Sequence, residues 1–276
     1  MAITANEFQL ISTFVKEHSG ICLAAGKEYL LESRLGGLMR RNGCKTFLEL
    51  HTMLKKSSSG SLRSEVIDSL TTNETLWFRD NSFFAAMADS IIPMLLEKAR
   101  TKQRINIWSM ASSTGQEAYS VAMLIDNIAR LKGASTQVNK FKILASDISP
   151  SAIAMASKGQ YSQLAITRGM RKEFLSKYFV EKDSTYQIDA KIMRMVNFKL
   201  FNLKDSYFSL GKFDLILCRN VLIYFSDDMI RRIYGNIYSV LEKDGHLAIG
   251  STESPRSHTT QFDQVLINGA AFFKPK

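Results

Sequence analysis

The sequence predicts an α/β protein whose sheet is mostly parallel, preceded by a small all-helical region. Residues 4 to about 72 show helical periodicity without a convincing strand. From residue 104 onward, strand-like and helix-like segments alternate, which is typical of parallel sheets. The final segment "FDQVLINGAAFFKPK" contains Asn268-Gly269, a strong signal for a hairpin turn. The C-terminus should therefore add an antiparallel edge to the sheet.

Composition limits the class of protein. The chain has 276 residues, of which 45% are hydrophobic and 22% are charged, as in ordinary globular proteins. The three cysteines are far apart and the four histidines are scattered, so we expect neither a disulfide framework nor a metal site. The start "MAITANEFQL" is unlike a signal peptide, and no run approaches the roughly 18 apolar residues of a membrane span. We therefore expect a cytoplasmic protein.

The formal net charge of +10 favours a partner with a negative surface. Nucleic acid, an anionic membrane face and an acidic protein all satisfy that condition. Charge alone does not choose among them.

The helical region has recognisable boundaries. Thr4 is placed to cap a first helix, and "KEYLLESRLGGLMRRNG" carries a leucine stripe in a second helix that Gly43 ends. Two shorter helices should flank the loop "KKSSSG" at residues 55–60.

The sheet region has a regular order that one segment interrupts. The predicted strands are "RINIWSM", "FKILASDIS", "VNFKLFNL", "FDLILCRN" and "GHLAIGS". The main helices are "GQEAYSVAMLIDNIARLKG" and "DDMIRRIYGNIYSVLEKDG", the second ended by Gly245. Residues 160–196 instead combine a charged helical stretch, "ITRGMRKEFLSKYF", with the short alternating runs "TYQID" and "IMRMV". We interpret them as an inserted subdomain with β character.

Polar residues follow four of the predicted strands, at residues 109–115, Asp147, Asn202 and Arg219-Asn220. Ligands of open α/β sheets bind at the carboxyl ends of the strands. Asp147 is well placed to accept hydrogen bonds from both hydroxyls of a ribose. The alternative is that Asp147 only caps the helix that begins near Pro150.

The loop after the first strand contains a single glycine, Gly115. Glycine triplets let backbone N–H groups approach a pyrophosphate, so a ligand without phosphates relaxes that demand. S-adenosylmethionine is such a ligand, and Glu117 could meet its ammonium group. These residues favour S-adenosylmethionine over a nicotinamide cofactor. Glu117 could also be an acid that the helix dipole stabilises.

The segment "SLTTNETLWFRD", residues 69–80, lies between the two regions. Asn73, Thr75 and Arg79 surround the aromatic pair Trp77 and Phe78. Ligand sites favour domain interfaces, so this segment is a candidate substrate clamp. A helix cap followed by an interface aromatic pair is the alternative.

The segments "TTNETLWFR", "WSMASSTGQEAYS", "ASDIS" and "FDLILCRNVLIYF" together resemble the chemotaxis receptor glutamate methyltransferases, the CheR family. The resemblance spans essentially the whole chain. It implies a class I S-adenosylmethionine-dependent methyltransferase fold: a Rossmann-like mixed sheet with a C-terminal antiparallel hairpin, a small all-α N-terminal domain and an inserted β subdomain. The implied domains are a helical receptor-recognition domain at 1–75, a connecting segment at 76–103 and the methyltransferase domain at 104–276, with the insert at about 160–196. Ser112, Gln116 and Ala118 depart from the family's usual loop, whereas Glu117 matches it.

The resemblance also implies the chemistry, which is methyl transfer from S-adenosylmethionine to glutamates on a receptor's cytoplasmic helices, with S-adenosylhomocysteine as product and no metal. Arg79 is our candidate for orienting the substrate carboxylate, with Tyr224 assisting. The residues expected to line the cofactor site are Asn73, Thr75, Arg79, Glu117, Asp147, Asn202, Leu203, Arg219 and Asn220.

Two receptor-binding surfaces are expected. Lys27, Arg34 and Arg41 recur every seven residues on the second helix, and a basic stripe suits acidic receptor helices, although it could also be a solvated face. The insert resembles the subdomain with which some family members bind a receptor's C-terminal peptide. Binding to receptors would recruit the protein to membrane receptor arrays.

Two other functions stay open. The basic charge would suit a nucleic-acid methyltransferase, although no Pro-Pro-aromatic or Pro-Cys motif is present. A non-catalytic module that binds S-adenosylmethionine for signalling is the second alternative. Binding of S-adenosylmethionine, followed by identification of the labelled polymer, would discriminate among the three.

Overall fold

The computed structural model describes residues 2–56 and 60–276. The N-terminal region consists of α1 (Ala5–Ser19), α2 (Glu28–Arg41), α3 (Phe47–Lys56) and α4 (Gly60–Leu70). Half of the predicted loop between the last two helices, residues 57–59, lies outside the described residues. These four helices enclose their own apolar core, which includes Ile11, Leu35 and Leu50.

The predicted cap of α1 is confirmed. The Thr4 hydroxyl accepts the Glu7 N–H at 3.3 Å, and the Glu7 carboxylate accepts the Thr4 N–H at 3.0 Å. This reciprocal pair satisfies two of the N–H groups that a helix N-terminus leaves unpaired. Gly43, in the left-handed conformation with φ +71°, follows the end of α2 as predicted.

A helical connection leads to the sheet. It comprises α5 (Asn81–Ala86), a π-helical turn (Met87–Ile91) and α6 (Ile92–Thr101). A seven-stranded sheet follows, in the order β6-β2-β1-β7-β8-β10-β9. Its strands are β1 (Ile105–Met110), β2 (Phe141–Asp147), β6 (Val196–Leu200), β7 (Phe213–Cys218), β8 (Leu241–Ile249), β9 (Phe262–Ile267) and β10 (Ala270–Pro275).

The first five strands of that order pair in parallel, and β10 pairs antiparallel with both β8 and β9. The remaining large helices are α7 (Gln116–Leu131), α8 (Pro150–Lys158) and α12 (Asp227–Val240). Two apolar cores cover the two faces of the sheet, so successive strand residues such as Ile107 and Trp108 belong to different cores. The predicted class I methyltransferase fold is therefore confirmed.

The insert is built around a three-stranded sheet in the order β3-β5-β4, whose strands are β3 (Gln160–Ser162), β4 (Phe179–Lys182) and β5 (Thr185–Ile188). The predicted charged helix is two short helices, α9 (Gln163–Thr167) and α10 (Lys172–Tyr178). The break falls at Gly169, which has φ +97°, and a Cβ there would lie 2.3 Å from the Trp77 carbonyl oxygen. The close approach of these two backbones requires glycine and interrupts the helix.

Two boundaries predicted from the sequence are wrong. "IMRMV" is not a strand, because residues 190–193 form α11 (Ala190–Met193), whose cap is the Asp189 side chain. Gly245 does not end the helix before β8, because α12 ends at Val240 and Leu241 already pairs with Phe213. Gly245 lies inside β8 near a register shift, where a Cβ would meet the Glu242 carbonyl oxygen at 2.9 Å.

Candidate active site

A cavity of about 450 Å³ lies where the carboxyl ends of the central strands face the helical region. Its walls come from residues 19–30, residues 70–79 and the segments that follow β1, β2, β6 and β7. The predicted cofactor-site residues all line it: Asn73, Thr75, Arg79, Glu117, Asp147, Asn202, Leu203, Arg219 and Asn220. Tyr224 and Lys27 line the same cavity, whereas Arg34 and Arg41 do not.

The loop after β1 is folded tightly under this cavity. Gly115 has φ +93°, and a Cβ there would lie 3.0 Å from both Ala156 and Phe198, so the position suits glycine on two grounds. The Ser112 N–H donates to the Ser146 carbonyl at 2.8 Å, which ties the loop to the end of β2. The buried hydroxyl of Ser112 has no hydrogen-bond partner within the described part of the chain. It can therefore serve a ligand in the cavity.

Asp147 ends β2 with both carboxylate oxygens partly engaged. One oxygen accepts the Ser113 N–H at 2.8 Å and the other accepts the Ser149 N–H at 2.9 Å. Burial raises the pKa of the Asp147 carboxyl above its usual range, and these two N–H groups oppose that effect. Each carboxylate oxygen has two lone pairs, so each can still accept a bond from a ligand hydroxyl.

The structure also addresses the alternative role of Asp147 as a helix cap. The N-cap of α8 is Ser149, whose hydroxyl accepts the Ala152 N–H at 3.0 Å. The Asp147 carboxylate accepts only the backbone N–H of that serine. It does not cap α8 itself, so it keeps acceptor capacity for a ligand.

Half-buried Glu117 and buried Arg219 form an ion pair in the cavity wall. The guanidinium donates to the Glu117 carboxylate at 2.9 Å and to the Arg79 carbonyl at 3.0 Å, and it stacks over the Phe83 ring at 4.0 Å. The Ser109 hydroxyl donates to the other Glu117 oxygen at 2.8 Å. Arg219 thereby fixes the position of the carboxylate.

Arg79 is an exposed cation of the site, as is Lys27. No hydrogen bond or ion pair of its guanidinium is found within residues 2–56 and 60–276, although Arg79 lines the cavity. Its neighbours Phe78 and Asp80 both have positive φ, +47° and +77°, which non-glycine residues adopt rarely. The Asp80 carboxylate accepts the Phe83 N–H at 3.3 Å and caps α5. This unusual backbone presents Arg79 at the cavity.

Asp80 is a further residue of the site, beyond those predicted from the sequence. Burial alone would raise the pKa of its carboxyl, but hydrogen bonds from Ser82 and Phe83 and the charge of Arg219 together lower it. Asp80 is 3.5 Å from the Arg219 guanidinium. Its position next to Arg79 could have identified Asp80 from the sequence, but nothing in the sequence indicates that it lies beside the distant Arg219.

The aromatic pair in residues 69–80 belongs to the core. Trp77 and Phe78 are buried, and the Trp77 indole donates to the Ala165 carbonyl at 3.1 Å in the insert. For these two side chains the alternative interpretation, an interface aromatic pair, is therefore correct. The polar members Asn73, Thr75 and Arg79 line the cavity.

The helical region closes one side of the cavity through backbone contacts that sequence patterns do not reveal. Ile21 forms a β-bridge with Phe225, and the Cys22 N–H donates to the Tyr224 carbonyl at 2.8 Å. The Asn202 side chain donates to the His18 carbonyl at 2.7 Å. Asn202 thus lines the cavity and also joins the two regions.

The three residues of the predicted basic stripe have different environments. Lys27 is exposed at the N-cap position of α2. Arg34 is half-buried and donates to the carbonyls of Leu70 and Thr71 at 3.0 and 2.8 Å, so it caps the end of α4. Arg41 is exposed and lies 3.6 Å from Glu65. Arg34 is therefore not an unpaired surface charge.

Within the described residues, no group of three or more His, Cys, Asp or Glu side chains could hold a metal ion. Nor does any helix in that part of the chain have the length and apolar character needed to cross a membrane.

Comparison with known proteins places the chain in a family. Residues 73–270 match the model of the CheR methyltransferase S-adenosylmethionine-binding domain, and residues 6–71 match that of the CheR methyltransferase all-alpha domain. The chain is 38% identical to chemotaxis protein methyltransferase 1 of Pseudomonas aeruginosa, with 100% of both chains covered. It is 37% identical to chemotaxis protein methyltransferase Cher2 of Pseudomonas putida, with 98% of both covered. The chain therefore belongs to the CheR family of S-adenosylmethionine-binding chemotaxis methyltransferases.

Proposed function

We propose that this enzyme transfers the methyl group of S-adenosylmethionine to glutamate side chains in the cytoplasmic helical region of chemoreceptors. The products would be glutamyl methyl esters and S-adenosylhomocysteine, and the reaction would serve chemotactic adaptation. The observation that carries the proposal is the cavity itself. It combines buried acceptor groups suited to the cofactor with an exposed arginine that has no partner among the described residues and suits a carboxylate.

The cavity residues fit S-adenosylmethionine better than a dinucleotide. Asp147 has acceptor capacity for two ribose hydroxyls, and the Ser112 hydroxyl lacks a partner in the described chain. Glu117 places a carboxylate at the first turn of α7, where it would attract an ammonium group and repel a phosphate. Arg219, the buried cation of the wall, is already paired with Glu117. A pyrophosphate at this point of the wall would therefore face the Glu117 carboxylate, and Arg219 is not free to pair with it.

When bound, S-adenosylmethionine supplies a methyl group that its sulfonium centre activates. The acceptor needs no activation by the protein, because a glutamate with a pKa of about 4.3 is already an anion at neutral pH. The task of the chain is to orient the reactants, which can contribute roughly 7–11 kcal/mol. We assign Arg79 to the glutamate carboxylate through charge-assisted hydrogen bonds, and Tyr224 to placing the same group.

Two surfaces would bind the receptor. Lys27 and Arg41 are exposed at opposite ends of α2 and would attract acidic receptor helices. In the insert, β4 is an edge strand and Val180 on it is exposed, which suits addition of a receptor's C-terminal peptide as a further strand. Either contact would recruit this cytoplasmic enzyme to membrane receptor arrays.

An acceptor competition tests the proposal. The purified enzyme is incubated with methyl-labelled S-adenosylmethionine in three parallel reactions. One contains receptor-containing membranes, one contains nucleic acid and one contains no acceptor. We expect label on the receptor that mild base releases, as it does from carboxyl esters. Label on nucleic acid would favour the alternative methyltransferase, and cofactor binding without transfer to any acceptor would favour a non-catalytic signalling module.

A further inference from the structure

Glu253 accepts hydrogen bonds from three backbone N–H groups. One carboxylate oxygen accepts the N–H groups of Asn220 and Gly250, both at 2.8 Å. The other accepts the Leu222 N–H at 2.9 Å. Glu253 itself does not line the cavity. One carboxylate therefore joins two chain segments that are about 30 residues apart.

The turn that carries Glu253 is built around this contact. It follows β8, and the Glu253 N–H donates to the Gly250 carbonyl at 3.0 Å. A Cβ on Gly250 would lie 2.6 Å from the Glu253 carboxylate and 2.8 Å from the side-chain nitrogen of Asn220. Only a residue without a side chain allows the carboxylate to approach the ends of β7 and β8 together.

The segment held by Glu253 is one wall of the cavity. Residues 219–225 follow β7 and supply cavity-lining side chains: Arg219, Asn220, Val221, Ile223, Tyr224 and Phe225. Asn220 has φ +58°, in the left-handed region that asparagine adopts more readily than most non-glycine residues. Leu222 begins the 3₁₀ turn Leu222–Tyr224, whose last carbonyl accepts the Cys22 N–H of the helical region.

We propose that Glu253 is a positioning residue for this wall. Its carboxylate fixes the backbone at Asn220 and Leu222, and through them the placement of the Asn220 and Tyr224 side chains in the cavity. Glu253 acts without touching the ligand. The inference goes beyond the proposed function, because it rests on the cofactor cavity and not on the identity of the methyl acceptor.

The test compares Glu253→Gln with the matched control Glu7→Gln. Glutamine keeps the size of the side chain but presents an NH₂ group to at least one of the three N–H donors. Glu7 also accepts backbone N–H groups, from Thr4 and Leu48 at 3.0 Å each, but it lies in the helical region away from the cavity. Affinity for S-adenosylmethionine is measured by calorimetry, and amide hydrogen exchange is measured on the ligand-free proteins.

We expect Glu253→Gln to weaken cofactor affinity at least tenfold and to accelerate exchange of the Asn220 and Leu222 amides, with exchange in β1 and β2 unchanged. Glu7→Gln should lose stability but keep cofactor affinity within twofold of wild type. If Glu253→Gln is poorly folded, Gly250→Ala provides the second variant, because its methyl group displaces the same carboxylate without removing the charge.

Wild-type affinity in either folded variant would overturn the proposal and leave Glu253 a merely structural residue. An equal loss of affinity in Glu253→Gln and Glu7→Gln would overturn it as well. Neither cofactor affinity nor amide exchange depends on the methyl acceptor, so a failure here is distinguishable from a failure of receptor methylation.

Discussion

Replacement of Arg79 by alanine separates function from stability. The Arg79 side chain is exposed and has no partner in the described residues, so we expect the free energy of unfolding to change by no more than about 0.5 kcal/mol. The guanidinium would make one or two charge-assisted hydrogen bonds to the substrate carboxylate, and their loss costs about 2–4 kcal/mol in total. Because each 1.36 kcal/mol is tenfold in rate, kcat/KM for receptor should fall roughly 30- to 1000-fold.

The assay is methyl transfer to receptor-containing membranes, with unfolding by urea measured on the same preparations. Arg104→Ala is the matched control, because Arg104 is also exposed but precedes β1, at the amino ends of the parallel strands and opposite the cavity. Arg79→Lys should recover part of the rate, since lysine keeps the charge but loses the paired geometry. Near-wild-type turnover in Arg79→Ala would refute the assigned role.

Four further predictions concern other parts of the molecule. Asp147→Asn should weaken cofactor affinity about 10- to 100-fold in calorimetry, because a charged acceptor for ribose hydroxyls is lost; an unchanged affinity would contradict that role. Glu117→Gln should lower the free energy of unfolding by about 1–3 kcal/mol in urea titrations, because buried Arg219 loses the nearer of its two carboxylate partners and keeps only Asp80 at 3.5 Å; wild-type stability would show that the pair contributes little. Arg41→Glu should raise KM for receptor and leave cofactor affinity unchanged, whereas an unchanged KM would remove Arg41 from the docking surface. Burial lowers the pKa of His246 to about 4, from an ordinary value near 6.5. The unfolded chain therefore binds a proton at a higher pH than the folded protein does, so stability falls as the pH is lowered. Between pH 7 and pH 5 this effect should lower the free energy of unfolding by about 2 kcal/mol. In His246→Leu, urea titrations at the two pH values should no longer show that loss.

The positions of the site residues could be predicted because they depend on strand polarity. Asp147 and Asn220 follow parallel strands, and the carboxyl ends of such strands meet at one edge of the sheet. Apolar runs identified those strands, so local pattern was sufficient to bring their exits together.

The supporting contacts could not be predicted in the same way. Glu253 and Asn220 are far apart in sequence, and neither has a local signal that names the other. Periodicity places Arg34 on one face of α2, but it does not show that Arg34 binds the carbonyl groups of Leu70 and Thr71 at the end of α4. Gly245 suggested a helix end because glycine often follows one, but glycine also occurs at irregularities within strands, and Gly245 lies near the register shift of β8.

Mapping of the modified residue on the receptor tests the proposed function most directly. Receptor-containing membranes are incubated with the enzyme and S-adenosylmethionine, and receptor peptides are then analysed by mass spectrometry. We predict methyl esters on glutamate side chains of the cytoplasmic helices, absent from a reaction with Arg79→Ala. Methylation at nitrogen or at another residue type, or no receptor methylation by an enzyme that binds the cofactor, would contradict it.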